Sequence, residues 1–581
     1  MARPARGLPA RQARPIQYNG WSVGAGGLTG IPRAGAPRPR DPTRCFAMLL
    51  ATLALASSVT LGPPARSDAA GEAHLLSYGL RLEVDPVGGA ILGVAELELQ
   101  AREGELEELV VALNRGLTLD SVTVGKRAGK PLKGSRVAEG QAWTIPLVPP
   151  LAKGKARTLR FVYHGDGVDP GPKEPDWMGV LLVREDEIRM SHQSQWYPIV
   201  PTDDAARTKL SAPTTLDLVL PMGFASLGPG ELVEVVEEEG REVHRWRSRD
   251  PVLPSILAGD YIVQEVIAGA QTIRALSFPG HEDGARRFAQ EAAQAVRTLE
   301  RFYGDLGGRS YGLAEMRVRN RKRSYNYEAD GFSVYDSVLF DGRDPDPKTI
   351  AHEVAHLWFG GQLDPSGEGE RFLVESMAEA AALRYVQEEY GDAAEISAAE
   401  RVAGRYFANP GDERSVLETD FGSPRYAQVI YGKGALALRS LRAWAGPEDY
   451  DEALYDYLRR CADGKAAANL ESFLAAMKKA LGDKVDDWEK DWLRRSGAPS
   501  YEIEFTTKRL GGGRTRVTGH LIQTPRNYRS SVELGLVSSS GQTAHIRVLP
   551  REGRSRFEAV VQQDVTEVVL DPRYYALCER D

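Results

Sequence analysis

The tightest constraint on this chain is the run His352-Glu353-Val354-Ala355-His356, with eighteen residues between it and Glu375. Two histidines four apart leave the same face of a helix, one turn above the other. Two ring nitrogens so placed can hold one zinc ion at about 2.0–2.1 Å each. Glu353 lies between them, where its carboxylate can reach a water at the metal without ligating the metal itself. The flanks predict the helix: Asp346 caps it, Pro347 suits its first turn, and Gly360-Gly361 end it. The segment from Arg371 through Glu375 opens a second helical pattern that runs to Tyr390 and stops at Gly391. An antiparallel helix pair would return Glu375 over the two histidines. Three protein ligands then leave one position for water, as in catalytic rather than structural zinc sites. Glu379, one turn on, is either a hydrogen-bond partner for a ligating histidine or a solvated helix carboxylate.

His352-Glu-Val-Ala-His356-Leu-Trp-Phe-Gly360 with Glu375 resembles the gluzincin metallo-aminopeptidases, peptidase family M1. Their hallmark is H-E-x-x-H-x18-E with W-F-G after the second histidine. The likeness runs from about residue 75 to about residue 500. It implies one zinc ion per chain, held by His352, His356 and Glu375, with Glu353 as general base. It also implies a peptide substrate with a free amino terminus that loses its first residue. Tyr426-Ala-Gln-Val-Ile-Tyr431-Gly-Lys-Gly434 is similar to the family's Y-x-K-G segment. The resemblance gives Tyr431 the oxyanion-donor role, which suits a phenol because it stays a neutral donor at working pH. Aligned through Glu328 and Gly331, the stretch from Arg317 to Tyr335 takes the place of the G-A-M-E-N-W-G edge strand. The resemblance makes Glu328 the anchor for the substrate's α-amine, where it would block longer N-terminal extensions. Tyr325, Asn326, Tyr327 and Ala329 replace the motif's Gly, Ala, Met and Asn. That departure keeps open a zinc endopeptidase or another amide hydrolase. A catalytically silent binding scaffold is the third reading. In the same family a glutamine from the N-terminal domain reaches the substrate, and Gln193 and Gln195, before Trp196-Tyr197-Pro198, are the candidates.

The expected fold class is multidomain α+β: an N-terminal β saddle domain, a thermolysin-like α/β catalytic domain with a short helical extension, and a C-terminal β-sandwich. A chain of 581 residues exceeds one hydrophobic core, so several domains are required. Residues 1–73 read as an N-terminal extension and signal peptide. The first 44 are rich in Arg, Pro and Gly. An apolar run from Cys45 to Leu61 follows, then Gly62-Pro-Pro and small residues near Ser67-Asp-Ala-Ala70. About 17 apolar residues are marginal for a span. The expectation is therefore an exported protein, periplasmic or extracellular, without a stable membrane span after signal removal; an uncleaved anchor is the runner-up.

Residues 74–268 alternate with period two, as in Leu80–Val84, Val94–Leu99, Leu159–Tyr163 and Leu216–Leu220, and predict one large antiparallel β domain. Residues 269–498 carry the zinc motifs, an amphipathic helix over 281–304, and helices from Tyr450, Leu470 and Val485. Residues 499–581 return to six short strands, which suggest an immunoglobulin-like sandwich.

Charge narrows the partners. The net charge is −8, yet residues 1–44 hold eight arginines and one aspartate, so the remainder is near −15. An acidic body argues against nucleic acid. Cys45, Cys461 and Cys578 are the only cysteines, too few for a disulfide framework, although a Cys461–Cys578 bridge is conceivable. No feature of the sequence speaks to oligomeric state.

Overall fold

Period-two alternation becomes a seven-stranded sheet in the N-terminal region. Its spatial order is Glu231–Glu238, Arg241–Arg247, Thr214–Leu220, Ala73–Asp85, Ala90–Ala101, Ala156–Asp166 and Leu117–Val124. The structure, a computed structural model, describes residues 73–579 except 103, 126–134, 137–141, 168–180, 201–210, 318–326, 330, 343, 409–410, 526–527 and 552; side chains at 135–136 and 327–328 are likewise outside the description. The expected signal segment therefore lies outside the described residues. Within Ala73–Asp85, Leu80, Leu82 and Val84 point into the core, while Arg81 and Glu83 between them pair on the other face.

One expectation needs correcting here: the sheet is not wholly antiparallel. Ala73–Asp85 runs parallel to Thr214–Leu220, from Tyr78 opposite Thr214 to Glu83 opposite Val219. Parallel neighbours need a long crossover. Here the crossover is everything between the two strands, so local alternation carries no trace of it. A second, four-stranded sheet completes this region's core around Phe161, Trp196, Tyr197 and Leu257.

The next sheet has five strands, ordered Ile262–Ala268, Gln271–Ser277, Tyr311–Met316, Phe332–Asp336 and Tyr327–Glu328. Ile262–Ala268 and Gln271–Ser277 form one hairpin, so the division expected at 268 runs through it. Phe288, Ala292, Val296 and Leu299 recur at helical spacing, and they bury the face of helix Glu282–Tyr303 that packs on this sheet. The helical layer follows: Pro347–Ala355, Met377–Tyr390, Asp392–Ala408, Ala435–Ala445, Pro447–Ala462, Leu470–Leu481 and Lys484–Trp488. No helix among the described residues is long and apolar enough to cross a membrane.

All six expected C-terminal strands are present, in two three-stranded sheets. Tyr501, Val517 and Phe557 of one sheet share a core with Val532, Leu534 and Val568 of the other. Tyr528, Ala576 and Leu577 leave this core and bury themselves in the helical layer instead. Cys461 and Cys578 form no disulfide, so the conceivable bridge between them is absent.

Candidate metal centre and active site

The first helix starts where its cap dictates. The Asp346 carboxylate accepts from the Thr349 backbone N–H at 3.2 Å, and Pro347 occupies the first turn. Regular α-helix closes at Ala355, and His356 keeps helical backbone angles as the last residue, φ −62° and ψ −16°. The chain then doubles back at Gly360, whose φ of +107° excludes most side chains. The two imidazoles lie 4.9 Å apart, nearly perpendicular.

Glu375 arrives on the partner helix, within a π turn at Phe372–Ser376 that precedes Met377–Tyr390. Its Oε2 is 3.6 Å from His352 Nε2 and 3.5 Å from His356 Nε2. Two ligands about 2.1 Å from a tetrahedral zinc stand about 3.4 Å apart. The edges of this triangle therefore match a zinc site, and the donor set His₂Glu is that of a catalytic one. Among the described residues, these three form the group able to hold a metal ion.

The far side of each ring decides which nitrogen turns toward Glu375. His356 Nδ1 donates to the Phe359 carbonyl at 2.9 Å, and His352 Nδ1 lies 3.1 Å from Glu379 Oε2. Both Nε2 atoms thus face Glu375, where a metal ion would take the place of their protons. Glu379 is only 4% exposed, and Lys348 Nζ donates to its other oxygen. The open question about Glu379 resolves toward a buried histidine partner. Burial alone would raise its carboxyl, but Lys348 and His352 hold it well below the usual carboxylate range. Glu375 is likewise pulled down against its burial by His356 and His352. Burial lowers His352, yet the surrounding Glu375, Glu379 and Glu353 outweigh it and push the ring to about 10. The centre is built to hold positive charge.

Glu353 is buried beside the rings, 9% exposed. Tyr431 stands with its ring 5.5 Å from that of His352 and 6.0 Å from that of Tyr426, on a second π turn, Gln428–Gly434. Burial first, then the charges of Glu375 and Glu353, raise its phenol well above the usual value, so it is a neutral donor. The two π turns touch: Ser376 Oγ donates to the Ile430 carbonyl at 2.7 Å. Lys433, fully buried, donates to the carbonyls of Arg495 and Gly497, the latter at 2.7 Å, and pins the Tyr431 turn from behind.

Residues 343–492 match the peptidase family M1 domain. Over that stretch the chain is similar to peptidase family M1. It is 27% identical over 168 residues to a probable aminopeptidase 2 of Sulfurisphaera tokodaii, a stretch covering 28% of this chain and 21% of that protein. It is also 27% identical over 178 residues to an aminopeptidase N of Streptomyces lividans, covering 27% of this chain and 19% of that protein. The chain spans about a quarter of the length of the curated relatives it matches. An M1 zinc metallopeptidase from Deinococcus radiodurans shares the fold with a TM-score of 0.58 and 20% identity, over 73% of this chain and 94% of that one. A mutant of that peptidase has been solved bound to a Tyr-Ser-Ala substrate.

Other site positions anticipated in the sequence are less gathered. Glu328 lies on the edge strand of the five-stranded sheet, opposite Ser333; its side chain is outside the described residues. Gln193 is exposed, and Gln195 adopts a left-handed conformation, φ +53°, at the end of a short turn. The backbone bonds around that turn run to Asn114 and stay within the N-terminal region. Sequence reasoning missed Lys348. Its position, one helical turn before His352 on the same face, was the available signal. It also missed the Phe359 carbonyl, since a backbone acceptor leaves no mark in a sequence.

Proposed function

We propose that this chain is a zinc-dependent aminopeptidase that removes the first residue of peptides with a free amino terminus. The observation that carries the proposal is the Nε2–Oε2–Nε2 triangle with 3.5 and 3.6 Å edges, flanked by buried Glu353 and half-buried Tyr431. One zinc per chain fits this single triangle. When bound, zinc supplies the Lewis-acid polarisation that makes an amide carbonyl and a neighbouring water reactive. Glu353 takes the water's proton and returns it to the leaving amine. Tyr431 donates its phenol hydrogen to the oxyanion of the tetrahedral adduct, where a neutral, preorganised donor is most effective. Glu328 would hold the substrate's ammonium at the sheet edge, with Gln193 or Gln195 as a further contact to that end. The Tyr-Ser-Ala complex of the Deinococcus peptidase supports a short peptide as substrate.

The proposal also keeps the finer domain descriptions: a saddle, a thermolysin-like catalytic domain and an immunoglobulin-like sandwich. Export rests on the apolar run from Cys45 to Leu61. An endopeptidase on the same frame is the second reading, favoured by the altered residues Tyr325, Asn326, Tyr327 and Ala329 around Glu328.

A panel of peptides, each with a free and an acetylated amino terminus, separates the two when incubated with zinc-loaded protein. Loss of the first residue from free-amine peptides alone supports the aminopeptidase. Internal cleavage of acetylated peptides replaces it with the endopeptidase, and no cleavage of either refutes both. Glu353→Gln should bind zinc as the wild type does and lose turnover by about 10²–10⁴-fold.

A further inference from the structure

A second cavity, of about 200 Å³, lies between the helical layer and the C-terminal sandwich. None of His352, Glu353, His356, Glu375 or Tyr431 lines it. Five arginines do: Arg384, Arg439 and Arg442 from the helices, and Arg547 and Arg573 from the sandwich. Part of its wall is apolar, including Phe302, Phe359 and Met377. One water needs only about 10–15 Å³, so this space admits a multi-atom ligand.

The charge around it does not balance. Arg439 is forked onto Glu395, and Arg442 onto Asp451 at 2.7 and 2.8 Å. Arg573 is held by Glu533. Arg384 reaches Glu388 at 3.0 Å and shares Asp451 at 3.5 Å. Five guanidiniums line the wall against two carboxylates, Glu395 and Asp451, while Glu388, Glu533 and Asp392 act on them from outside it, and Arg547, exposed on its strand, has no ion-pair partner among the described residues. The pairs that exist fix the guanidinium planes. A fork onto a carboxylate uses two of a guanidinium's five N–H groups and leaves others available. Arg384 Nε is buried with no hydrogen-bond partner among the described residues. Burial disfavours the Arg384 charge most, and repulsion from Arg442 adds to it.

We propose that this interdomain cavity is a binding site for a small oxyanion, a carboxylate or a phosphate, gripped by Arg384 and Arg547. Fixed guanidinium forks match the planar edges of both groups. Such a ligand pairs with Arg547, satisfies Arg384, and joins the sandwich to the helical layer.

The test is calorimetric titration of the full-length, zinc-loaded chain with inorganic phosphate and, separately, succinate, at constant ionic strength set by chloride. The expected result is one saturable site per chain for phosphate, succinate or both, and the pattern assigns the ligand class. Arg547→Ala should weaken that site about tenfold or more, equivalent to about 1.4 kcal/mol. Arg556→Glu, a charge reversal on the other sheet of the sandwich, should leave it unchanged. No saturable heat from either anion overturns the proposal. So does equal affinity in Arg547→Ala, since an anion captured by the zinc would be indifferent to Arg547. Equal weakening by Arg556→Glu would mean a general charge effect and also overturns it.

Discussion

In the proposed zinc site, Glu379 is a buried carboxylate that would serve the metal without touching it. It stands 3.1 Å from His352 Nδ1 with the Lys348 ammonium on its other side. The pair aims His352 Nε2 at the ion and increases its basicity. Glu379→Gln should therefore lower zinc affinity by about 10–100-fold, read by competition with a chromogenic chelator. The same residue sets an acid limit. Its carboxyl, burdened by burial but held down by Lys348 and His352, lies well below the ordinary 4.5 in the folded protein. Its stabilising contribution is thus complete above that value and is lost as pH falls toward the depressed folded one. In melts followed from neutral to acid pH, wild type and Glu379→Gln should converge below about pH 4.5.

At the scale of elements, the active site depends on two π turns meeting. Glu375 sits on Phe372–Ser376 and Tyr431 on Gln428–Gly434. A π turn inserts one residue into a helix and re-aims the side chains around it. The turns approach so closely that a Cβ on Gly434 would overlap Ser376 Oγ and stand 2.9 Å from Ser376 Cβ. Gly434→Ala should cost about 1–3 kcal/mol by overpacking. It should also lower kcat, since Tyr431 is displaced relative to His352. Adding Ser376→Gly removes the clashing atoms, so the double variant should recover part of the melting temperature. A melt unchanged in Gly434→Ala would mean the turns separate freely.

At the scale of the molecule, the C-terminal sandwich is fastened by a buried charge. Asp491 Oδ2 accepts from the backbone N–H of Arg529 and Ser530 at 2.6 and 2.8 Å and from Ser530 Oγ at 3.0 Å. Asp491 itself is 1% exposed, on the last π turn of the helical layer. Asp491→Ala leaves buried donors unpaired and should cost about 1–3 kcal/mol. Limited proteolysis should then cut first near residue 528, where the sandwich meets the helices. Cleavage elsewhere, with that junction intact, would show the sandwich is held by its apolar contacts alone.

Much of this architecture was legible in local patterns. The proposed histidine ligands follow from a helical period that puts residues four apart on one face, as at His352 and His356. The six C-terminal strands and helix Glu282–Tyr303 follow from periods of two and 3.6. Asp346, Pro347 and Gly391 mark helix ends because capping is a local interaction. What local periodicity cannot express, the tertiary structure decided. The parallel pairing of Ala73–Asp85 with Thr214–Leu220 joins strands far apart in sequence. Lys348 finds Glu379 thirty-one residues away, and the two π turns are fixed by contacts between segments. The arginine cavity exists only because the sandwich folds back on the helices. Each of these depends on which distant surfaces meet, a choice made by burial over the whole chain rather than by neighbours along it.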